Sequence, residues 1–176
     1  MRLLFEMDAH DYPAEGTRFT RPSVRGIILR GGRIAMVRSL ENDYYKFPGG
    51  GIEPGEDHAQ TLIREVAEET GLVVRPDTIR EYGMVHRIER GDPEDIFEQD
   101  NYYYFCETEP EPGAQRLTET ERRERFTLEY ADPAAVIAAN RESARGAARR
   151  AFHSKYSRML RREALVMEML MKEGYL

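Results

Sequence analysis

Residues 49–72 read GGGIEPGEDHAQTLIREVAEETGL. Three glycines and a proline lead into a helical pattern with crowded carboxylates. From Glu56 to Thr70 the apolar residues Ala59, Leu62, Ile63, Val66 and Ala67 recur at helical spacing, and Gly71 is placed to stop the helix. Glu65, Glu68 and Glu69 share another face, because positions three and four apart are neighbours. Like charges there cost an isolated helix about 0.2–0.5 kcal/mol per pair. Glu68 and Glu69 also lie at the end that the helix dipole disfavours. Only Arg64 stands beside them as a cation, whereas a solvated face would intersperse Lys or Arg. A hard divalent cation takes oxygen ligands and turns the repulsion into attraction. Gly49, Gly50 and Gly51 let the backbone approach a ligand closely. Loop and helix together therefore form a candidate metal site.

Outward from this stretch, VRGIIL, the Gly31-Gly32 pair and RIAMVRS form a predicted hairpin, and DYYKFPGGGI is a third extended piece. Further strands are expected from LVV to MVHRI and at NYYYFCETE, with ERGDPEDIFEQD between them as an acidic loop. FTLEY follows a second polar stretch, and Asp132-Pro133 has the form of an N-cap with proline in the first helical position. The tail, about residues 145–172, carries an amphipathic pattern through Phe152, Tyr156, Met159, Leu160, Val166, Met167 and Leu170. Its stripe is expected to pack on the domain or to form a homodimer contact. These elements predict one α/β domain over residues 1–176, a mixed β-sheet between α-helices with a C-terminal helix.

The chain has 176 residues and a formal charge of -6, which argues against a general nucleic-acid binder. Its one cysteine, Cys106, excludes an internal disulfide framework and makes a reducing, cytoplasmic setting the simplest expectation. No apolar run is long enough to span a membrane. The arginines of the tail, among them Arg158, Arg161 and Arg162, alternate with Glu163, Glu168 and Glu173 and read as a solvated helix face.

The segment Gly50 to Leu72 resembles the Nudix box, G-x(5)-E-x(7)-R-E-U-x-E-E-x-G-U with U aliphatic. Gly50, Glu56, Arg64, Glu65, Val66, Glu68, Glu69, Gly71 and Leu72 fill every specified position. The resemblance implies the Nudix fold and a hydrolase that uses Mg²⁺ or Mn²⁺ to cut a diphosphate linkage in a nucleoside diphosphate derivative. Such a substrate is a small phosphorylated molecule, a nucleoside triphosphate or a nucleotide sugar for example. Carried onto this chain, Glu65, Glu68 and Glu69 are the metal carboxylates and Gly50 lends its backbone carbonyl. Arg64 and Glu56 orient them. Glu69 is the first candidate for the general base; Glu98, Glu121 and Glu124 are loop alternatives. His58, inside the box but outside the motif, reads as an exposed helix residue.

Arg25 and Lys46 are candidates for phosphate contact. Tyr45 and Tyr103 are candidates for base stacking, with core packing the stronger use of both rings. Arg87 and Ile88 stand where the family's ADP-ribose hydrolases tend to carry proline, so the substrate branch stays open. Two rivals share the fold. A nucleotide-sensing domain without turnover would have a degraded box or an added DNA-binding domain, and neither is seen. An isopentenyl diphosphate isomerase would use a cysteine and a glutamate, which draws attention to Cys106.

Overall fold

The computed structural model describes residues 1–148 and 154–176. Among the described residues a larger sheet holds β1 (Leu3–Asp8), β2 (Arg18–Thr20), β3 (Ser23–Ile27), β7 (Arg80–Arg90) and β8 (Ile96–Phe105). It is mixed: β7 and β8 are antiparallel, and β1 runs parallel to β7. One edge of β8 takes β2 along Ile96–Glu98 and then β3 along Asn101–Phe105, both parallel. The smaller sheet is antiparallel: β5 (Arg33–Ser39) pairs with β4 (Leu29–Arg30), β6 (Tyr44–Lys46) and β9 (Phe126–Ala131). Gly31 and Gly32, both at positive φ, make the two-residue turn that the glycine pair predicts.

The helices are α1 (His58–Thr70), the short α2 (Glu119–Arg123), α3 (Pro133–Ala148) and α4 (Ser154–Lys172). On one side, Leu62 and Val66 of α1 pack with Val24, Ile28, Ala35 and Leu72. On the other, Val136 of α3 and Val166, Met167 and Leu170 of α4 pack with Ile27, Phe47 and Tyr103. The sheets thus lie between helices, and the stripe of α4 is spent on the domain. Each fully buried Leu or Val contributes about 1.5–3 kcal/mol relative to exposure. The Asp132 side chain caps α3 by accepting from the Ala134 and Ala135 amides.

Three expectations change. The helical stretch expected from about 145 belongs at first to α3, and α4 begins at Ser154; Phe152 lies outside the described residues. The acidic loop shrinks to a hairpin tip, because Glu89, Arg90 and Ile96–Asp100 are in strands. Arginines nearby neutralise its charges: Glu89 pairs with Arg87 on its own strand and with Arg158 of α4, and Glu98 with Arg18 of the neighbouring β2. Leu72–Val74 forms no strand beyond a single bridge from Val74 to Thr108.

Candidate active site

Asp57 starts α1 through a capping box with Gln60, and Gly71 ends it at φ 76°, donating its N–H to the Ala67 carbonyl. The buried strip of α1 is Thr61, Leu62, Val66, Glu69 and Thr70, with Ile63 and Ala67 half-buried. Glu69 therefore points inward rather than sharing one solvent face with Glu65 and Glu68. The segment after β8 straps the helix end: Arg116 N–H donates to Glu68 O at 2.8 Å, and Gly113 N–H to Gly71 O at 2.7 Å. These bonds satisfy carbonyls that a helix C-terminus otherwise leaves open.

Arg64 is the hub of the box. Its Nε and Nη2 grip the Glu56 carboxylate at 2.6 and 2.7 Å. Nη1 reaches Glu65 at 2.7 Å and Glu68 at 3.4 Å, and Nη2 also donates to the Gly51 carbonyl at 3.2 Å. The guanidinium holds the Glu56 carboxyl at about 2, well below the usual carboxylate range. Gly50 lies against Glu65, and a Cβ there would overlap the carboxylate. Gly50 O accepts from the Val24 N–H at 2.9 Å, which leaves the carbonyl a second lone pair.

Glu69 is fully buried, and the loss of water raises its carboxyl pKa. Lys46 Nζ and the Gly49 N–H (2.9 Å) oppose that shift by bonding one carboxylate oxygen each. Among the described residues no three His, Cys, Asp or Glu side chains stand together so as to hold a metal ion. The cause is visible: Lys46 draws Glu69 inward while Arg64 draws Glu65 and Glu68. The donor chemistry fits a hard divalent cation all the same. The acids are oxygen donors, Gly50 leaves room beside Glu65, and a magnesium site needs only one or two carboxylates with water completing the shell.

The other candidates divide. Arg25 is buried beside the loop and donates to the Gly49 carbonyl. Lys46, expected at phosphate, is committed to Glu69 and lies over the Phe126 ring. Tyr45 and Tyr103 are buried and offer no face to a ligand: Tyr45 donates to Glu129 at 3.0 Å, and Tyr103 packs edge-on against Phe47. Glu98 lies in β8, not in a loop, and pairs with Arg18 rather than with the box. Glu121 caps α2, and Glu124 is buried as acceptor for the Tyr44 and Tyr156 hydroxyls at 2.6 and 2.9 Å. His58 is half-buried, its ring 4.3 Å from Tyr102 and its Nδ1 2.7 Å from the Tyr104 hydroxyl. Cys106 is buried, and burial pushes its thiol up to about 12.

Two residues of the tail matter that the charge pattern hides. Arg162 and Glu163 are fully buried. Glu163 accepts from the Phe47 N–H at 2.8 Å and from Arg162, whose Nη1 also donates to Asn101. Helix α4 thereby pins the chain immediately before the glycine loop.

The NUDIX domain family model matches residues 19–152, and the chain belongs to that family. A "Nucleoside diphosphate-linked moiety X motif 6" of Mus musculus is 36% identical over 77 residues, 44% of this chain and 23% of the relative. An RNA pyrophosphohydrolase of Escherichia coli O139:H28 (strain E24377A / ETEC) is 43% identical over 54 residues, 30% of each chain. The matches thus span less than a third of these relatives. Among solved structures, a MutT protein from Bacillus halodurans is similar with a TM-score of 0.53 and 20% identity, covering 68% of this chain and 72% of that one. A NUDIX hydrolase from Nitrosomonas europaea gives 0.51 and 16%, covering 69% and 78%. At these identities the likeness speaks for the fold.

Proposed function

We propose that the chain is a metal-dependent pyrophosphohydrolase that cleaves a diphosphate linkage in a nucleoside diphosphate derivative. The observation that carries this reading is the Arg64 hub, which holds Glu56, Glu65, Glu68 and the Gly51 carbonyl together beside a glycine loop. Family membership and the RNA pyrophosphohydrolase relative support the reaction class.

Glu65, Glu68 and the Gly50 carbonyl are the proposed ligands for Mg²⁺ or Mn²⁺, with Arg64 and Glu56 as positioning residues. When bound, such an ion lowers the pKa of a coordinated water and neutralises phosphate oxygens. Glu69, expected as a third ligand, fits better as the proton acceptor, because its raised pKa suits a base and Lys46 and Gly49 fix its orientation. Water then forms a bond to one phosphorus and the bridging P–O bond breaks. The water proton passes to the Glu69 carboxylate. Arg25 faces the phosphates beside the loop. A small nucleotide-like substrate in a reducing cytoplasm fits this chemistry.

The test is release of phosphate or pyrophosphate from a panel of nucleoside triphosphates, nucleotide sugars and dinucleoside polyphosphates with Mg²⁺ or Mn²⁺. Turnover of at least one member is expected; no release from any of them overturns the enzyme reading.

A further inference from the structure

The segment between β8 and α2 straps the end of α1. Arg116 N–H donates to Glu68 O at 2.8 Å, Gln115 Nε2 to Glu69 O, and Gly113 N–H to Gly71 O at 2.7 Å. A Cβ at Gly71 would overlap the Gly113 carbonyl, so the strap comes this close only against glycine. Side chains alternate along it. Gln115 and Leu117 are half-buried, Leu117 against Val37, Tyr44 and Phe126, while Arg116 between them turns outward. The strap therefore delivers a guanidinium to the carboxylate end of the box.

That guanidinium is less committed than the cations around it. Arg64 grips Glu56 and Glu65, Lys46 is bound to Glu69, and Arg25 is buried against the Gly49 carbonyl. The Arg116 side chain is 70% exposed, and its Nη2 lies 3.9 Å from Glu68 Oε1, too far for a hydrogen bond. It forms no other ion pair among the described residues. The acids next along the chain are taken: Glu119 pairs with Arg123, and Glu121 closes the cap of α2. An exposed pair of this kind is weak, so giving it up costs about fivefold at most in a binding equilibrium. The second Glu68 oxygen, Oε2, is reached by Arg64 at 3.4 Å, so Glu68 itself is only loosely held.

We propose that Arg116 is a substrate-binding residue for the diphosphate. It rests against Glu68 and exchanges that carboxylate for a phosphate oxygen of the substrate when Glu68 turns to the metal. A guanidinium suits this second partner, because its paired N–H donors match two phosphate oxygens. The exchange gives Arg116 two opposite effects: it competes with the cation for Glu68, and it favours the phosphate. This rests on the reading that Glu68 is a metal ligand. It goes further by placing a phosphate contact on the strap, outside the box.

The test is isothermal titration of the purified chain and its variants with two probes. One is Mn²⁺ alone; the other, in excess Mg²⁺, is methylenediphosphonate, whose P–C–P link resists hydrolysis. Arg116→Gln is expected to bind Mn²⁺ about two- to fivefold tighter, because a competing cation is gone, and methylenediphosphonate about tenfold weaker. Arg116→Lys keeps most of the phosphonate affinity, and Arg123→Gln, an exposed arginine paired elsewhere, changes neither. A purely structural role in the strap would weaken both ligands together. Thermal unfolding of each variant establishes that it is folded. The inference is overturned if the wild type binds no methylenediphosphonate, if Arg116→Gln binds it equally well, or if Arg116→Gln gains no affinity for Mn²⁺. Failure of the wild type to bind Mn²⁺ overturns the metal reading as well. Mn²⁺ binding with unchanged phosphonate affinity in Arg116→Gln sinks this inference alone.

Discussion

Glu163→Gln tests whether α4 holds the glycine loop through a buried charge. One Glu163 oxygen accepts the Phe47 N–H at 2.8 Å, and the other takes Arg162 Nε at 3.0 Å together with Nη2. Both residues are essentially without solvent. Glutamine offers one acceptor and one donor, so either Phe47 N–H or Arg162 meets an N–H instead of an oxygen. Removing one partner of a buried ion pair costs about 3–5 kcal/mol. The retained acceptor puts Glu163→Gln near about 3 kcal/mol, which for a domain of this size lowers Tm by roughly 6–12 °C. Urea unfolding, followed by tyrosine fluorescence and circular dichroism, measures the change. Adding Arg162→Met removes the orphaned cation, so the double variant is expected to lose less than the two single losses combined. A Glu163→Gln protein within about 0.5 kcal/mol of wild type would refute the pinning role.

Three further outcomes are expected. Gly49 and Gly50 separate stability from activity. At Gly49, φ is 140° and a Cβ would overlap the Val24 carbonyl, so Gly49→Ala lowers Tm. At Gly50 the overlap is with the Glu65 carboxylate that Arg64 holds, a side chain rather than backbone, so Gly50→Ala lowers Tm less than Gly49→Ala and lowers metal affinity or activity by about 10- to 100-fold; calorimetry and metal titration check both. Glu69→Gln stays folded by circular dichroism and loses about 10²- to 10⁴-fold in kcat. Glu56→Gln carries a pH signature. The folded carboxyl sits at about 2 against an ordinary 4.5, so its stabilisation is present above 4.5 and lost as pH falls toward 2. The stability gap between wild type and Glu56→Gln is therefore full at neutral pH and closes over that window in acid denaturation.

The box helix was legible because its signals are local. Its apolar spacing, the stop at Gly71 and the misplaced carboxylates all lie within one stretch, and the Gly31-Gly32 hairpin is equally self-contained. What escaped depends on partners distant in sequence. Arg162 and Glu163 look solvated by charge alone, yet their partners Asn101 and Phe47 come from β8 and the loop after β6. Glu89 and Glu98 lie in strands despite an acidic, turn-rich neighbourhood, because arginines on other elements offset them. Lys46 could be seen near the loop, but its commitment to Glu69 depends on the fold bringing β6 to the end of α1.

Hydrolysis in ¹⁸O-labelled water tests the central claim most directly. Incubated with Mg²⁺ or Mn²⁺ and a cleaved nucleoside diphosphate derivative, the chain is expected to place the label on a phosphate of one product, as read by mass spectrometry, and Glu69→Gln to suppress its appearance. Label on carbon, or equal incorporation by Glu69→Gln, would contradict water attack on phosphorus with Glu69 as base.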